Sequence, residues 1–363
     1  MTEIIATNYS VYINKGIAKD INRFFKNNKN RYSKVFILVD ENSLKFCYPQ
    51  LVNDIDVFKD AEIIEIDSGE ESKNIEVCHH IWTTLSEYGA DRKSLFVNLG
   101  GGVIGDMGGF IASVFKRGIS FINIPTTLLS QVDASVGGKV GIDLDHLKNE
   151  IGLFNTPDAV FIDSTFLSSL DKRQLFSGFA EIIKHALIAD AVYWKKVQDF
   201  DISDLGDIDT LIKTSVSIKN SVVEQDPQEQ GLRKILNFGH TIGHAIETFS
   251  LENDEKKPML HGEAIAVGMI CEAYLSAEIC KLSKAELYEI TQFILGKYKI
   301  VKLEKMDHHR LIELMKHDKK NDKGDIHFAL LASIGKCEIN KTAKADQIID
   351  ALNYYIQESK IFK

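Results

Sequence analysis

Five short runs of apolar and β-branched residues in the first half of the chain constrain its fold more than any other feature. The runs are VFILVD (35–40), AEIIEI (61–66), SLFVNLG (94–100), SFINIPT (120–126) and AVFID (159–163). Stretches with helix-like spacing lie between the first of them. Short apolar runs separated by crossovers are typical of strands buried on both faces of a parallel sheet. They predict an α/β domain with a largely parallel sheet.

The spacing of apolar residues changes at about residue 170. Four later segments repeat apolar residues at i, i+3 and i+4, as amphipathic helices do. These segments are RQLFSGFAEIIKHALIAD, TLIKTSVSIKNSVVEQD, GEAIAVGMICEAYLSAEIC and KAELYEITQFILGKY. Because 363 residues exceed the usual size of one hydrophobic core, two domains are reasonable. We predict an α/β domain over residues 1–169 and a mostly helical domain over residues 170–363.

Charge and cysteine usage narrow the class of protein. The formal net charge is −9, which disfavours nucleic-acid and anionic-membrane partners because both need a basic surface. The five cysteines are widely spread and include no CxxC pair, so a disulfide framework is not indicated. The N-terminus lacks the layout of a signal peptide, and no apolar run approaches the roughly 20 residues that span a bilayer. We expect a cytoplasmic protein.

Two glycine turns in the first half predict a site for a nucleotide or another phosphate. NLGGGVIGDMGGF (98–110) places glycines between a predicted strand and helix, where free backbone N–H groups and the helix dipole favour an anion. A turn that only serves packing would look similar, and the spacing is not GxGxxG. A second glycine pair follows in PTTLLSQVDASVGGKVGIDL (125–144). Lys139, Lys148, Asn149 and Arg117 flank these turns and favour a phosphate-bearing ligand.

Polar residues interrupt the apolar helices of the second half. Glu181 and Lys184 lie three apart in the strongly apolar segment AEIIKHALIAD, where charges are costly unless they are paired or functional. Four further polar residues follow one another at steps of four, three and four and are expected to share one helix stripe. They are Arg233, Asn237, His240 and His244.

The histidines allow two metal sites and one purely structural interpretation. His240 and His244, at i and i+4, could chelate one metal with a carboxylate from elsewhere. Alternatively, Glu181, His240 and His261 could form a three-ligand site that leaves a position open for a substrate oxygen. The histidines could also be satisfied core residues, but glycines 239 and 243 imply that something approaches the backbone closely. The spacing alone does not choose between these alternatives.

Several long motifs resemble the dehydroquinate synthase family. They are GGGVIGDMGGF, IPTTLLSQVDASVGGK, LKNEIG, SGFAEIIKHALI, GLRKILNFGHTIGHAIE and LHGEAIAVGM, in order between about residues 68 and 330. The resemblance implies a Rossmann-like N-terminal domain, a helical C-terminal domain, bound NAD and a divalent metal, zinc or cobalt. It also implies that a seven-carbon keto-acid phosphate is converted into a carbocycle with loss of phosphate. Transient oxidation by NAD, elimination, re-reduction and an internal aldol step would lead to that product.

The same resemblance assigns roles to residues of this chain. The implied metal ligands are Glu181, His240 and His261. The implied NAD contacts are Ser68, Gly69, Glu70, Glu71, Ser72, Lys73, Gly102, Val103, Ile104, Gly105, Asp106, Thr126, Thr127, Lys139, Lys148, Phe166, Leu167, Ser168 and Ser169. The implied substrate contacts are Asp133, Lys184 and Asn237 for hydroxyls, Lys219 and Arg233 for the carboxylate, and Lys139, Asn149, His244 and one of Lys319 or Lys320 for the phosphate. Arg117 would reach the phosphate from the partner subunit of a homodimer.

Three other classes of protein share parts of this pattern. Related sugar-phosphate cyclases make other rings, but they tend to alter the anion-binding positions that are intact here at Lys139, Asn149, Arg233 and His244. A metal-dependent NAD polyol or glycerol-phosphate dehydrogenase would release NADH. A non-catalytic binding homologue is disfavoured because all three implied metal ligands are present.

Overall fold

The computed structural model describes residues 2–6, 8–145, 147–252, 258–304, 307–316 and 326–362. The chain divides into two compact units. The first unit comprises residues 1–171 and 204–220, and the second comprises residues 172–203 and 221–363.

A seven-stranded sheet forms the centre of the first unit, in the order β1-β2-β9-β6-β5-β3-β4. The strands of this unit are β1 Thr2–Ile5, β2 Ser10–Ile13, β3 Val35–Asp40, β4 Glu62–Ile66, β5 Leu95–Gly100, β6 Ser120–Pro125, β7 Lys139–Leu144, β8 Leu147–Phe154 and β9 Ala159–Ile162. All neighbours in the sheet from β2 to β4 pair in parallel, and β1 pairs antiparallel to β2. The five strands predicted from the sequence are therefore confirmed. The antiparallel hairpin of β7 and β8 was not predicted.

Helices and apolar side chains cover both faces of this sheet. The helices are α1 Ala18–Asn27, α2 Glu41–Phe46, α3 Pro49–Val52, α4 Asp56–Lys59, α5 Ile75–Glu87 and α6 Gly102–Val114, with 3-10 helices at Glu70–Ser72, Phe115–Arg117 and Ser164–Ser169 and a π-helical turn at Ser130–Ala134. Val35 and Ile37 of β3 belong to one apolar cluster with Phe24. Phe36 and Leu38 belong to a second cluster. Since successive residues of a strand point to opposite faces, β3 is buried on both sides, as its unbroken apolar run predicts.

The second unit is mostly helical, as predicted. Its helices are α7 Lys172–Ala189, α8 Ala191–Asp199, α10 His240–Leu251, α11 His261–Cys280, α12 Lys284–Lys297, α13 His308–Lys316 and α14 Ala345–Ile361, with a 3-10 helix at Leu232–Asn237. Helix α9, Ile208–Gln225, contributes residues to both units. An antiparallel hairpin, β10 His327–Ser333 and β11 Lys336–Thr342, adds a small sheet that the sequence pattern did not predict.

In the part of the chain that the structure describes, every helix is too short or too polar to cross a membrane.

Candidate metal centre and nucleotide-binding residues

Two histidines of the second unit approach one buried carboxylate. Glu181 lies on α7 with no exposed surface. Its Oε1 atom is 3.5 Å from Nε2 of His240, the first residue of α10, and 3.6 Å from Nε2 of His261, the first residue of α11. Lys184, one turn further along α7, forms an ion pair with the other oxygen of Glu181. The structure therefore brings together the three residues implied as metal ligands.

Hydrogen bonds on the opposite ring nitrogens orient both histidines. The Nδ1 atom of His240 is 3.1 Å from the carbonyl oxygen of Phe238, which can only accept, so Nδ1 carries the proton. The Nδ1 atom of His261 is 3.1 Å from a carboxylate oxygen of the buried Glu247. Metal-binding histidines usually donate their second N–H to a carboxylate or carbonyl in this manner. Each Nε2 atom is therefore placed to offer its lone pair to a cation.

The electrostatic environment shifts the pKa values of His240 and His261 in opposite directions. Burial lowers the pKa of His240 well below its usual value, with the Lys184 charge acting in the same direction. Burial also lowers the pKa of His261, but the carboxylates of Glu247 and Glu181 outweigh it and raise that pKa to about 10. The site thus carries concentrated negative charge beside His261, which suits a cation.

His244 lies beside both of these histidines. Its ring centroid is 5.1 Å from that of His240 and 5.7 Å from that of His261. Ligand atoms of the three histidines all lie within 4.8 Å of one another. His240 and His261 therefore belong to one donor set with the Glu181 carboxylate and to another that consists of three imidazoles. Both sets fit a divalent metal of the zinc type, which takes nitrogen and carboxylate oxygen ligands.

The expected single helix stripe from Arg233 to His244 is wrong. Gly239 has φ +81°, in the left-handed region, and it separates the 3-10 helix Leu232–Asn237 from α10. Arg233 is buried, and its guanidinium donates to the carbonyl of Pro227 at 2.7 Å. Asn237 donates through Nδ2 to Glu229 at 2.7 Å. Arg233 and Asn237 thus lie in the 3-10 helix, whereas the two histidines lie in α10.

The expectation that something approaches the backbone at glycines 239 and 243 is confirmed. The approaching element is α11, whose Gly268 lies against α10. A Cβ atom on Gly268 would lie 2.0 Å from the carbonyl oxygen of Gly239 and 2.7 Å from the backbone nitrogen of Gly243. Side chains at this crossing would force the helices apart. The crossing joins the helix that begins with His240 to the helix that begins with His261.

Glu247 is a functional candidate that the sequence reasoning missed. It lies in the apolar stretch HAIETF of α10 and is 3% exposed. The signal that could have found it is the one that singled out Glu181, a carboxylate inside an apolar helix. Its contact with His261 joins a residue of α10 to the start of α11.

Most of the implied NAD residues follow the carboxyl ends of parallel strands in the first unit. Ser68 follows β4, Gly102 follows β5, Thr126 follows β6 and Phe166 follows β9. Because these strands are parallel, their carboxyl ends share one edge of the sheet, the usual ligand-binding edge of such folds. Gly102 also begins α6, whose N-terminus offers backbone N–H groups at this edge.

A buried lysine links several of these residues. Lys73 is 3% exposed, and its ammonium donates to Asp106 at 2.7 Å and to the side-chain oxygen of Asn149 at 2.6 Å. Burial alone would lower the pKa of Lys73, but the carboxylates of Asp106 and Glu70 outweigh burial and raise it. Lys148 lies 3.7 Å from Glu70. The structure therefore joins the implied NAD residues of three segments in one charged network.

The remaining implied substrate residues of the first unit are Asp133, Lys219, Lys139 and Arg117. Lys219 of α9 is paired with Asp133, at 2.8 Å from the carboxylate and 2.7 Å from the backbone carbonyl. Lys139 and Arg117 are exposed. Arg117 has φ +70° and directly follows Lys116 with φ +51°, so the turn presents it in an unusual backbone conformation. Lys319 and Lys320 lie outside the described residues.

Comparison with solved structures defines the fold class. A 2-deoxy-scyllo-inosose synthase complexed with carbaglucose-6-phosphate, NAD+ and Co2+ matches with a TM-score of 0.83 at 23% identity, over 97% of this chain and 100% of that chain. ValA, a 2-epi-5-epi-valiolone synthase from Streptomyces hygroscopicus with NAD+ and Zn2+ bound, also matches with a TM-score of 0.83 at 23% identity, over 98% and 99% of the two chains. The fold class is that of these synthases, an α/β domain followed by a helical domain.

Sequence comparison identifies the family. Residues 63–177 match the model for the 3-dehydroquinate synthase N-terminal domain, and residues 178–321 match the model for the C-terminal domain. A 3-dehydroquinate synthase of Parabacteroides distasonis is 45% identical over 95% of this chain and 97% of its own length. One of Clostridium acetobutylicum is 41% identical over 93% and 95%. The chain belongs to the 3-dehydroquinate synthase family.

Proposed function

We propose that the chain is a 3-dehydroquinate synthase. It converts 3-deoxy-D-arabino-heptulosonate 7-phosphate to 3-dehydroquinate and phosphate, a carbon–oxygen lyase reaction of the shikimate pathway in aromatic amino-acid biosynthesis. Family membership along nearly the whole chain is the observation that carries this proposal. The geometry of Glu181, His240 and His261 supports it.

The cofactors are NAD and a divalent metal, as in the solved synthases with the same fold. When bound, the metal would polarise a substrate hydroxyl, and NAD would transiently accept hydride from the carbon that carries this hydroxyl. Glu181, His240 and His261 hold the metal, in preference to the three histidines, because a carboxylate offsets part of the charge of the cation. Lys184 holds the second oxygen of Glu181 and so limits rotation of the carboxylate. Phe238 and Glu247 fix the imidazole tautomers.

We assign the nucleotide site to the α/β domain that the sequence predicts over residues 1–169. The N-terminus of α6 would receive the pyrophosphate of NAD, and the hydrogen bonds of Lys73 to Asp106 and Asn149 would order the surrounding segments. We assign the metal site to the helical domain that the sequence predicts over residues 170–363. Lys219 and Arg233 are assigned to the substrate carboxylate, and Asp133, Lys184 and Asn237 to its hydroxyls.

Lys139, Asn149 and His244 are assigned to the phosphate. Cationic and amide donors of this kind match the charge and the acceptor oxygens of a phosphate group. We place the enzyme in the cytoplasm, as the sequence composition predicts.

The test measures phosphate release from the heptulosonate phosphate with catalytic amounts of NAD, with metal supplied and with chelator. We expect phosphate release that requires metal and shows no net formation of NADH. Failure to release phosphate with metal supplied would refute the proposal. Net NADH formation on polyols would instead indicate a dehydrogenase, and selective turnover of a different sugar phosphate would indicate another cyclase.

We also propose a homodimer in which Arg117 of one subunit contacts the phosphate bound by its partner. The exposed, left-handed turn that presents Arg117 supports a role beyond its own unit. Mixing Arg117→Ala and His240→Ala subunits, each inactive as a homodimer, would create one intact site in each hybrid dimer. Recovery of up to about a quarter of wild-type activity after subunit exchange is expected, since random exchange makes half of the dimers hybrid. A dimer whose mixed variants stay inactive after verified exchange would contradict this role.

A further inference from the structure

Glu272 is a buried carboxylate on α11 to which neither the sequence pattern nor the proposed reaction assigns a role. It has no exposed surface. One of its oxygens accepts a hydrogen bond from the backbone nitrogen of Gly239 at 2.7 Å, and the other accepts from the backbone nitrogen of Ile242 at 3.0 Å. Gly239 is the residue before α10, and Ile242 is the third residue of that helix.

These two N–H groups belong to the helix terminus where donors lack partners within the helix. A serine, threonine or aspartate before the helix usually satisfies one of them, but Gly239 has no side chain. The left-handed backbone and the close approach of α11 favour glycine at this position. Glu272 therefore supplies from α11 the cap that position 239 cannot supply itself.

The cap encloses the backbone of His240. His240 is the first residue of α10 and lies between the two N–H groups whose hydrogen bonds Glu272 accepts. The imidazole is also held by the carbonyl of Phe238, the residue before Gly239. Loss of the cap would release the backbone on both sides of the histidine and change the direction of its Nε2 atom.

The charge of the Glu272 carboxylate provides a second connection between Glu272 and a metal bound by His240. The N-terminus of a helix carries a partial positive charge, which opposes a cation bound by its first residue. An ionised carboxylate at the same terminus offsets that charge and is itself stabilised by it. Glu272 thus makes the start of α10 compatible with a divalent metal on His240.

We propose that Glu272 is a positioning residue for the metal ligand His240, acting through the backbone of the first turn of α10. The inference rests on the metal site of the proposed function. It predicts that Glu272 controls metal affinity and coordination geometry without contacting the metal.

The test compares Glu272→Gln with Glu278→Gln, an exposed glutamate of the same helix. The first substitution would keep the size of the side chain but remove its charge and place an NH2 group against a backbone donor. Zn2+ affinity is measured by competition with a chromophoric chelator, Co2+ geometry by visible absorption, and cap formation by hydrogen exchange at the Ile242 amide. All are measured at a temperature where urea unfolding shows the variants to be folded.

We expect Glu272→Gln to bind Zn2+ about 10- to 100-fold more weakly, as is typical when a group that orients a ligand is lost. Its Co2+ spectrum should change and the Ile242 amide should exchange faster, whereas Glu278→Gln should match the wild type. A folded Glu272→Gln protein with wild-type affinity and spectrum, whatever its loss of stability, would overturn the proposal and leave Glu272 as a structural cap.

If Glu272→Gln does not fold, Glu272→Asp decides the question. The shorter carboxylate keeps its charge but cannot reach both N–H groups in the same geometry. We expect reduced Zn2+ affinity, and wild-type affinity would overturn the proposal. Wild-type protein that bound no Zn2+ through His240 and His261 would instead refute the proposed metal site, and this inference with it.

Discussion

Gly268→Ala tests whether the close crossing of α10 and α11 positions the metal ligands His240 and His261. The new Cβ atom would lie 2.0 Å from the carbonyl oxygen of Gly239, whereas ordinary contact begins at 3.4 Å. The two helices would have to separate by about 1.4 Å at this point. Both obstructing atoms, the oxygen of Gly239 and the nitrogen of Gly243, belong to backbone and cannot rotate away.

The expected loss of stability is about 3 kcal/mol, the upper part of the range for overpacked sites, because backbone must move. The displacement would also shift His240 relative to His261. Metal sites tolerate errors of only about 0.2 Å in ligand distance, so we expect Zn2+ affinity to fall by more than about tenfold. Urea unfolding of the metal-free protein and chelator competition measure the two effects.

Gly296→Ala on α12 is the matched control. Its Cβ atom would lie 3.5 Å from the ring of Phe362, which is an ordinary contact. Removing a glycine from a helix usually adds about 0.5–1 kcal/mol, so this variant should be at least as stable as the wild type. If Gly268→Ala behaved like this control in both assays, the crossing would not determine the site.

Three further predictions concern the contact between Glu247 and His261 and the contact between Asp106 and Lys73. Glu247→Gln should lower the pKa of His261 in the metal-free protein from about 10 towards its usual 6.5, and an unchanged value in an NMR titration would contradict the assigned contact. The pKa of His261 is raised in the folded protein, so the stabilisation from its protonation should be complete below about pH 6.5 and lost as the pH rises through about 10. The metal-free wild type should therefore exceed Glu247→Gln in urea stability at low pH, and this difference should shrink between these two pH values. Asp106→Asn should weaken NAD binding about tenfold, which corresponds to the loss of one charged hydrogen bond, because Asp106 would lose its contact with the Lys73 ammonium. Equal losses of NAD affinity and Zn2+ affinity would instead indicate general disruption of the protein.

The first unit could be predicted well because its signals are local. A strand buried on both faces appears as an unbroken apolar run, and VFILVD, SLFVNLG and SFINIPT each form the strand expected of them. The hairpin of β7 and β8 was missed because Lys139–Leu144 and Leu147–Phe154 mix glycine and charged residues with apolar ones. Pairing of such strands depends on the partner strand more than on either sequence alone.

The second unit shows where periodicity is insufficient. A spacing of three or four residues predicts one helix from Arg233 to His244, but Gly239 has a left-handed backbone and separates two helices. Gly239 and Gly243 correctly predict a close approach, but the sequence does not identify α11 as the approaching helix. Glu247 and Glu272 act across that contact, so their roles depend on residues 14 and 33 positions away.

The proposed function gives the two neighbouring histidines different roles: His240 binds metal beside Glu181 and His261, and His244 contacts the phosphate. The most direct test measures Zn2+ affinity and phosphate release for His240→Ala and His244→Ala in parallel. We predict that His240→Ala loses Zn2+, whereas His244→Ala retains it and releases phosphate more slowly. Equal loss of Zn2+ in both variants would contradict these separate roles and favour the cluster of three histidines as the metal site.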